Sequence, residues 1–476
     1  MITARLETDY LVIGAGATAM AFVDTLLTEQ PEATVLMVDR QHRPGGHWNH
    51  AYPFVKLHQP SESYGVASRE LSQGQVDAVG NNAGLYGLAS GAEVLAYFDS
   101  VMQQRFLPSG RVRWLPMSEH SLGADGSHLI TSLTSGQQQP VQVRKKVVNA
   151  THARTEVPAT HAPKYGVHEG VRCVPVNDLP KIARPYAKVT VVGSGKTGMD
   201  AVLWLLENGV APEAVRWVMP RDAWFMNRAN LQPGLENFER SMGATLGQMQ
   251  AMAQAKSLPE LFDRLEAHEL LMRIDPQVQP STYRCAVVSP AELTQLRRVK
   301  EVVRLGRVKE LQATQMVLQH GTVAAEADTL YVDCSASAIT HPPKLPVFDG
   351  DSIHLLFMRT CQPLFSAAVI AYVESHVADA DEKNKLCTPV PSPELPLDWL
   401  RMWGVSLLNG ARWRGHAGLN AWLMQCRLNG QAVYMRGVKP DDKERMGLLM
   451  GLGAASAAAA ANIPVLMASA APQARQ

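Results

Sequence analysis

A short apolar run that breaks into glycines and restarts as a helix constrains this chain more than any other feature. Tyr10 to Ile13 leads into Gly14, Gly16 and Ala19, the spacing G-x-G-x-x-A at a strand-to-helix turn. Gly14 permits the tight turn, Gly16 lets a pyrophosphate approach the backbone, and Ala19 lets helix and strand pack closely. The anion then sits on free N–H groups at the positive end of the helix dipole. A second apolar run, Val35 to Val38, ends at Asp39 and Arg40. An acid about 20 residues past such glycines accepts the ribose hydroxyls of a dinucleotide. Strand, turn, helix, strand and acid together predict a dinucleotide-binding βαβ unit.

The pattern occurs twice. Lys188 to Val192 reads as a strand, followed by Gly193, Ser194, Gly195, Lys196, Thr197 and Gly198 opening a helix to Glu207. The next strand, Val215 to Met219, leads to Pro220 and Arg221. A basic residue here meets a ribose 2′-phosphate, so the second unit is expected to take NADPH rather than NADH. Gly195-Lys196-Thr197 also mimics the end of a P-loop, but that motif needs a glycine where Thr190 stands.

Between the units lies Pro44-Gly45-Gly46-His47-Trp48, whose glycines admit backbone to a ligand while an aromatic covers it. Phe54 to Leu57 reads as a short strand with His58 and Gln59 at its end. His42, His47, His50 and His58 crowd this stretch, yet their spacing matches no metal-ligand pattern, and no metal is expected. Far downstream, Cys361-Gln362-Pro363-Leu364 opens a helix, with proline near its first turn.

The 476 residues allow two or three domains. With 45 basic against 44 acidic residues, nothing favours nucleic acid as a partner. The six cysteines are scattered without C-x-x-C, so neither a zinc site nor a dithiol pair is expected; buried thiols in a reducing cytoplasm fit. The chain opens directly on the first strand, so no leader is expected. β-Meanders are expected over residues 112–143 and 302–321, the second leading to a returning strand at Thr329 to Cys334, and residues about 229–300 read as a helical insertion without strands. Met446 to Ala461, uncharged and about 16 residues long, reads as a packed helix rather than a membrane span.

These motifs resemble the two-dinucleotide-domain flavoproteins, above all the flavin-containing and Baeyer–Villiger monooxygenases, over Tyr10 to Val373. The glycine pair followed by Trp48 and Tyr52-Pro53 is the more specific part of the match. The chain departs from the group at its linker, where Tyr165 to Gly170 is a degenerate form of the fingerprint. Its returning strands end in Ala150-Thr151-His152 and Asp333-Cys334-Ser335 instead of Ala-Thr-Gly.

The resemblance implies an α/β fold of two Rossmann-like domains with meanders, a helical insertion and a helical C-terminal region. The FAD domain would comprise 1–165 plus 325–380, the NADPH domain 185–325, and the C-terminal region 390–476. Gly14, Gly16, Ala19, Asp39 and Arg40 would hold the ADP half of FAD. Gly45, Gly46, His47 and Trp48 would lie on its flavin side, with His58 and Gln59 as catalytic hydrogen-bonding groups and Gln362 and Leu364 at the opposite edge. Gly193, Ser194, Gly195, Lys196, Thr197, Gly198 and Arg221 would hold NADPH. The implied activity is oxygenation of a small organic substrate by molecular oxygen through a flavin C4a-(hydro)peroxide. An FAD oxidase, dehydrogenase or reductase, and a non-catalytic redox sensor, are the competing readings. A homo-oligomer is permitted.

Overall fold

In the computed structural model, residues 5–72, 74–152, 155–336 and 344–470 are described. The chain opens with β1 (Leu6–Ile13), α1 (Ala17–Glu29) and β2 (Val35–Val38). β2 is buried along its whole length and α1 buries Ala19 to Leu27, as a parallel sheet covered by helices requires. Helix α2 (Gly91–Val101), fixed by a Ser90–Glu93 capping box, leads to β3 (Val112–Leu115). Then come β4 (Ser118–Leu122), β5 (His128–Ser132) and the long β6 (Gln138–Asn149). β1 pairs in parallel with both β2 and β6. The expected meander is corrected at its start: Val112–Leu115 joins β2 in parallel, and the antiparallel ribbon is β4–β5–β6. A single strand, β6, is both the last arm of that ribbon and the returning strand.

The second unit contains β7 (Arg172–Pro175), β8 (Lys188–Val192), α3 (Lys196–Glu207), β9 (Val215–Val218) and β10 (Ala223–Asn227). Helices α4 (Phe238–Gln254) and α5 (Leu258–Ala267) follow, then β11 (Leu271–Met272), β12 (Thr282–Val288) and α6 (Pro290–Leu296). The expectation of a strandless insertion is therefore corrected, since β10, β11 and β12 form their own sheet. Thr282 to Val288 is apolar at nearly every buried position, so it lacks the alternation that marks a half-exposed strand.

β13 (Glu301–Val303) returns to the main sheet. β14 (Val308–Leu311), β15 (Gln315–Leu318) and β16 (Gly321–Ala324) form the second meander, and β17 (Thr329–Asp333) follows. The second sheet runs β7-β17-β8-β9-β13, all parallel. β17 is hydrogen-bonded beside β8, so the second sheet extends past the boundary drawn at 325.

The chain re-enters the first sheet through β18 (Phe348–Asp349) and β19 (Ser352–His354), the latter parallel to β6. Helix α7 (Pro363–His376) is apolar on every side and buried from Leu364 to Val373, packed along α1. After α8 (Ala380–Leu386) come α9 (Pro396–Gly415), α10 (Ala417–Gln425), α11 (Gly430–Gly437) and α12 (Lys443–Ala470). The last spans 28 residues and is long and apolar enough, by length and composition, to cross a membrane. The expected short packed helix is thus corrected in length, because Pro464 lies within α12 on its exposed side and does not end it. Its inner face is anchored: Ala459, Ile463 and Leu466 join the core with α4 and α5, and Asn462 Nδ2 donates to Met252 O and Ala255 O, both at 2.8 Å.

Candidate functional site

The first glycine turn is docked against the Gly45–Gly46 turn. Gly14 adopts φ +98°, Gly45 +121° and Gly46 +58°, conformations that favour glycine. A Cβ at Gly46 would lie 2.9 Å from the Gly16 Cα, so the two backbones touch. Gly45 N–H donates to Ala15 O at 2.9 Å, and Asp39 Oδ2 accepts from Ala15 N–H at 2.6 Å. Asp39 thus braces the turn from the end of β2. Arg40 lies at the surface, paired with Glu119 at 2.7 Å.

Helices α1 and α7 aim at one place. Their C-terminal ends meet, with His376 Nε2 and Glu29 Oε2 2.8 Å apart and Gln30 Nε2 donating to Ser375 Oγ at 3.2 Å. They have 13 and 14 residues and pack side by side, so they run parallel and both N-termini lie at the glycine-turn end. Neither start has a side-chain cap or an acid in its first turn. Two sets of unsatisfied N–H groups and two positive dipole ends therefore converge there. Gln362, the residue before α7, has a buried Oε1 without a hydrogen-bond partner, an acceptor awaiting a donor. Leu364 is buried in the first turn of α7.

The stretch between the glycine turns joins the two units rather than forming the expected strand; Lys56 makes a single bridge to Ser90. Trp48 is buried in the first core, its Nε1 donating to Tyr64 Oη at 2.8 Å. His47 stacks on it and is exposed to solvent, while desolvation by the surrounding protein pushes its imidazole down to about 4. His58 is likewise partly accessible but enclosed, and burial, then Lys196 and Arg228, hold it well below the usual histidine range. Both rings are neutral at pH 7. Gln59 is half-buried beside it.

The second glycine turn shows the three roles separated. At Gly193 (φ +131°) a Cβ would meet Cys334 O at 2.7 Å; at Gly198 it would meet Gly193 O at 2.1 Å. At Gly195 no atom lies within 4 Å, which leaves the turn open above the N-terminus of α3. Ser194 is half-buried in the turn. Lys196 is ion-paired with Asp200 on the same helix, and Tyr52 Oη donates to Asp200 Oδ2 at 2.6 Å. This helix start therefore faces the first unit.

Arg221 follows β9 and is held by Glu394 at 2.7 Å; Arg284, on β12, binds the same carboxylate at 2.8 Å. Sequence reading missed Arg284, because it lies in the insertion and no local pattern marks it. It also missed Arg228, which is fully buried after β10. Arg228 donates from Nε to His58 O at 2.9 Å, pairs with Glu292 at 2.9 Å and reaches Asn82 and Val287 O. A cavity of about 440 Å³ lies elsewhere, lined largely by α4 residues, among them Arg240 and Gln254, with Arg264 of α5 and His268 just past its end; none of the expected site residues borders it.

No family model matches the chain. It is 50% identical over 446 residues to the uncharacterized protein Rv2000 of Mycobacterium tuberculosis (strain H37Rv) and to Mb2023 of Mycobacterium bovis, covering 93% of this chain and 81% of each. Among solved structures it is similar to the polycyclic ketone monooxygenase of Thermothelomyces thermophila. The identity is 12% and the TM-score 0.52, covering 99% of this chain and 89% of that one. It is also similar to cyclohexanone monooxygenase in its open form, at 15% identity and TM-score 0.50, covering 87% and 98%. The chain belongs to the family of these mycobacterial proteins, and its fold is that of the two-domain flavin monooxygenases.

Proposed function

We propose that the chain is an NADPH-dependent FAD monooxygenase that oxygenates a small organic substrate with molecular oxygen. The observation that carries this reading is the convergence of the α1 and α7 N-termini on the Gly14–Gly16 and Gly45–Gly46 turns, in a chain with a second, open glycine turn. The residues present fit the cofactors. The N–H groups at Gly16 and the start of α1 take the FAD pyrophosphate, and Ala19 lets α1 sit close to β1. Asp39, with Arg40 beside it, stands at the ribose. Gly45, Gly46 and His47 lie toward the flavin, and Gln362 Oε1 and the Leu364 N–H face its far edge. Gly193, Ser194, Gly195, Lys196, Thr197 and Gly198 shape the NADPH turn. Arg221 takes the 2′-phosphate, with Arg284 beside it.

Bound FAD supplies hydride acceptance from the nicotinamide and two-electron reduction of oxygen. The chain supplies position and charge. His58, neutral at pH 7, brings a hydrogen bond without a positive charge, and Gln59 offers an amide donor and acceptor next to it. Lys196 and Arg228 lie close enough to His58 to depress it, which places two cations at the boundary between the units.

Two measurements test this reading. The purified protein is expected to carry a flavin spectrum that NADPH bleaches anaerobically. With ¹⁸O₂ and a panel of cyclic ketones and sulfides, one labelled oxygen is expected in the product for each NADPH consumed. Hydrogen peroxide as the only oxygen product would place the chain among oxidases instead.

A further inference from the structure

Cys285 and Cys361 form a disulfide with Cα atoms 6.0 Å apart, closing 76 residues of sequence. This corrects the expectation of six scattered thiols: the pairing is made by the fold, and local spacing does not show it. The bond ties β12, in the insertion, to the turn that opens α7. Both ends carry residues already placed at the two nucleotide subsites. Arg284, next to Cys285, shares Glu394 with Arg221. Gln362, next to Cys361, has the orphan Oε1.

Two further observations separate this bridge from an inert staple. Cys285 (φ +56°) and Cys361 (φ +53°) are two of the four non-glycine residues with positive φ among the described residues. Backbone in that region persists only where its surroundings enforce it, so both segments have a reason to relax when the bridge opens. Both cysteines are also only half-buried, so the bridge is open to an incoming thiolate.

We propose that Cys285–Cys361 is a reversible redox-modification site, exchanged with a dithiol reductant, whose state sets the affinity of the Arg221–Arg284 subsite for NADP⁺. One thiolate of the dithiol attacks a bridge sulfur and expels the other as a thiolate, which takes a proton. The second thiol then closes on the first, releasing the remaining cysteine. The bridge gains two electrons and two protons, and the dithiol is oxidised to its disulfide. The exchange stands on the geometry of the pair; its effect on NADP⁺ rests on the reading of the second glycine unit.

The full-length protein, purified without reductant, is incubated under native conditions with graded dithiothreitol, then denatured and alkylated. Intact mass is expected to rise from four alkyl groups to six, with the two new ones mapped to Cys285 and Cys361, and to return to four after oxidised dithiothreitol is added. NADP⁺ titrations of both states are expected to differ by roughly five-fold or more, the size of an ordinary coupling. That difference is expected to vanish in C285S/C361S. Six alkyl groups before reduction, or a bridge that opens only after denaturation, would overturn the site. Equal NADP⁺ affinity in both states would overturn the coupling. NADP⁺ binding in neither state would instead refute the NADPH reading, with the alkyl count still deciding the exchange.

Discussion

The hydroxyl of Tyr52 donates to Asp200 Oδ2 at 2.6 Å, and the same carboxylate holds Lys196 at the start of the second glycine-turn helix. This hydrogen bond therefore ties the Gly45–Ser61 stretch to the second unit's helix start, beside those of His50 O with Asn177 and His58 O with Arg228. Phe54 stacks on Trp204 of that helix, with centroids 5.3 Å apart, and reinforces the contact. Hydrogen bonds to charged groups contribute about 1.5–3 kcal/mol. Tyr52→Phe is expected to lower unfolding free energy by about that much in a urea titration. A silent Tyr52→Phe would show that the units are held together elsewhere.

Arg228 is fully buried and paired with Glu292. Removing one member of a buried pair costs about 3–5 kcal/mol, because the other charge is stranded. Arg228→Met is expected to lose stability on that scale at pH 7. Combining it with Glu292→Leu is expected to restore much of the loss, a result a double-mutant cycle in urea reads directly.

Acid should weaken the same junction. Burial raises the Glu292 carboxyl, but Arg228 and Lys196 outweigh it and leave the group below its ordinary value. His58 is depressed by burial and by the same two cations. Both folded-state values lie below the unfolded ones, so both contributions are complete above the unfolded pKa and are lost as pH falls. Stability is expected to decline below about pH 6.5 as unfolded histidine begins to take up protons, and again below about pH 4.3 through Glu292. In His58→Gln the decline between those values is expected to become shallower, with His47 keeping its own share, when urea midpoints are plotted against pH.

The second glycine turn offers a separation of folding from binding. A Cβ at Gly195 meets no atom within 4 Å, whereas one at Gly198 would meet Gly193 O at 2.1 Å. Gly195→Ala is expected to leave the melting temperature within about 2 °C, as a tolerated replacement does. It is expected to weaken NADP⁺ at least ten-fold, about 1.4 kcal/mol. Gly198→Ala is expected to destabilise by about 1–3 kcal/mol through overpacking. Equal NADP⁺ affinity in wild type and Gly195→Ala would remove this turn as a nucleotide site.

Arg221 and Arg284 share one carboxylate, Glu394, in the segment before α9. On the proposed function, a 2′-phosphate would compete with that carboxylate for the same guanidinium groups. Glu394→Gln is expected to tighten NADP⁺, and Arg221→Ala to lose about 1–2 kcal/mol of the preference for NADP⁺ over NAD⁺. Isothermal titration with both nucleotides measures each difference.

The strands flanking both glycine turns were legible because parallel strands buried on two faces leave continuous apolar runs, as in Val35–Val38 and Lys188–Val192. Thr282–Val288 was not legible as a strand. It pairs in parallel with Ala223–Asn227 across a register shift, and no local turn announces that partner. Trp48 was legible as part of a motif, but not as core, since only the packed structure shows its indole donating to Tyr64.

The sequence by itself determined that this chain builds two glycine-turn βαβ units, one ending in Asp39 and one in Arg221. Those features depend on residues a few positions apart, where backbone sterics and apolar periodicity act directly. Only the tertiary structure decided what meets across the chain. It placed α7 parallel to α1, Arg284 beside Arg221, Arg228 beneath His58, and Cys285 against Cys361. Those contacts join residues from 63 to 347 positions apart, and their pairing is settled by how the sheets and helices pack, for which no local spacing carries a signal.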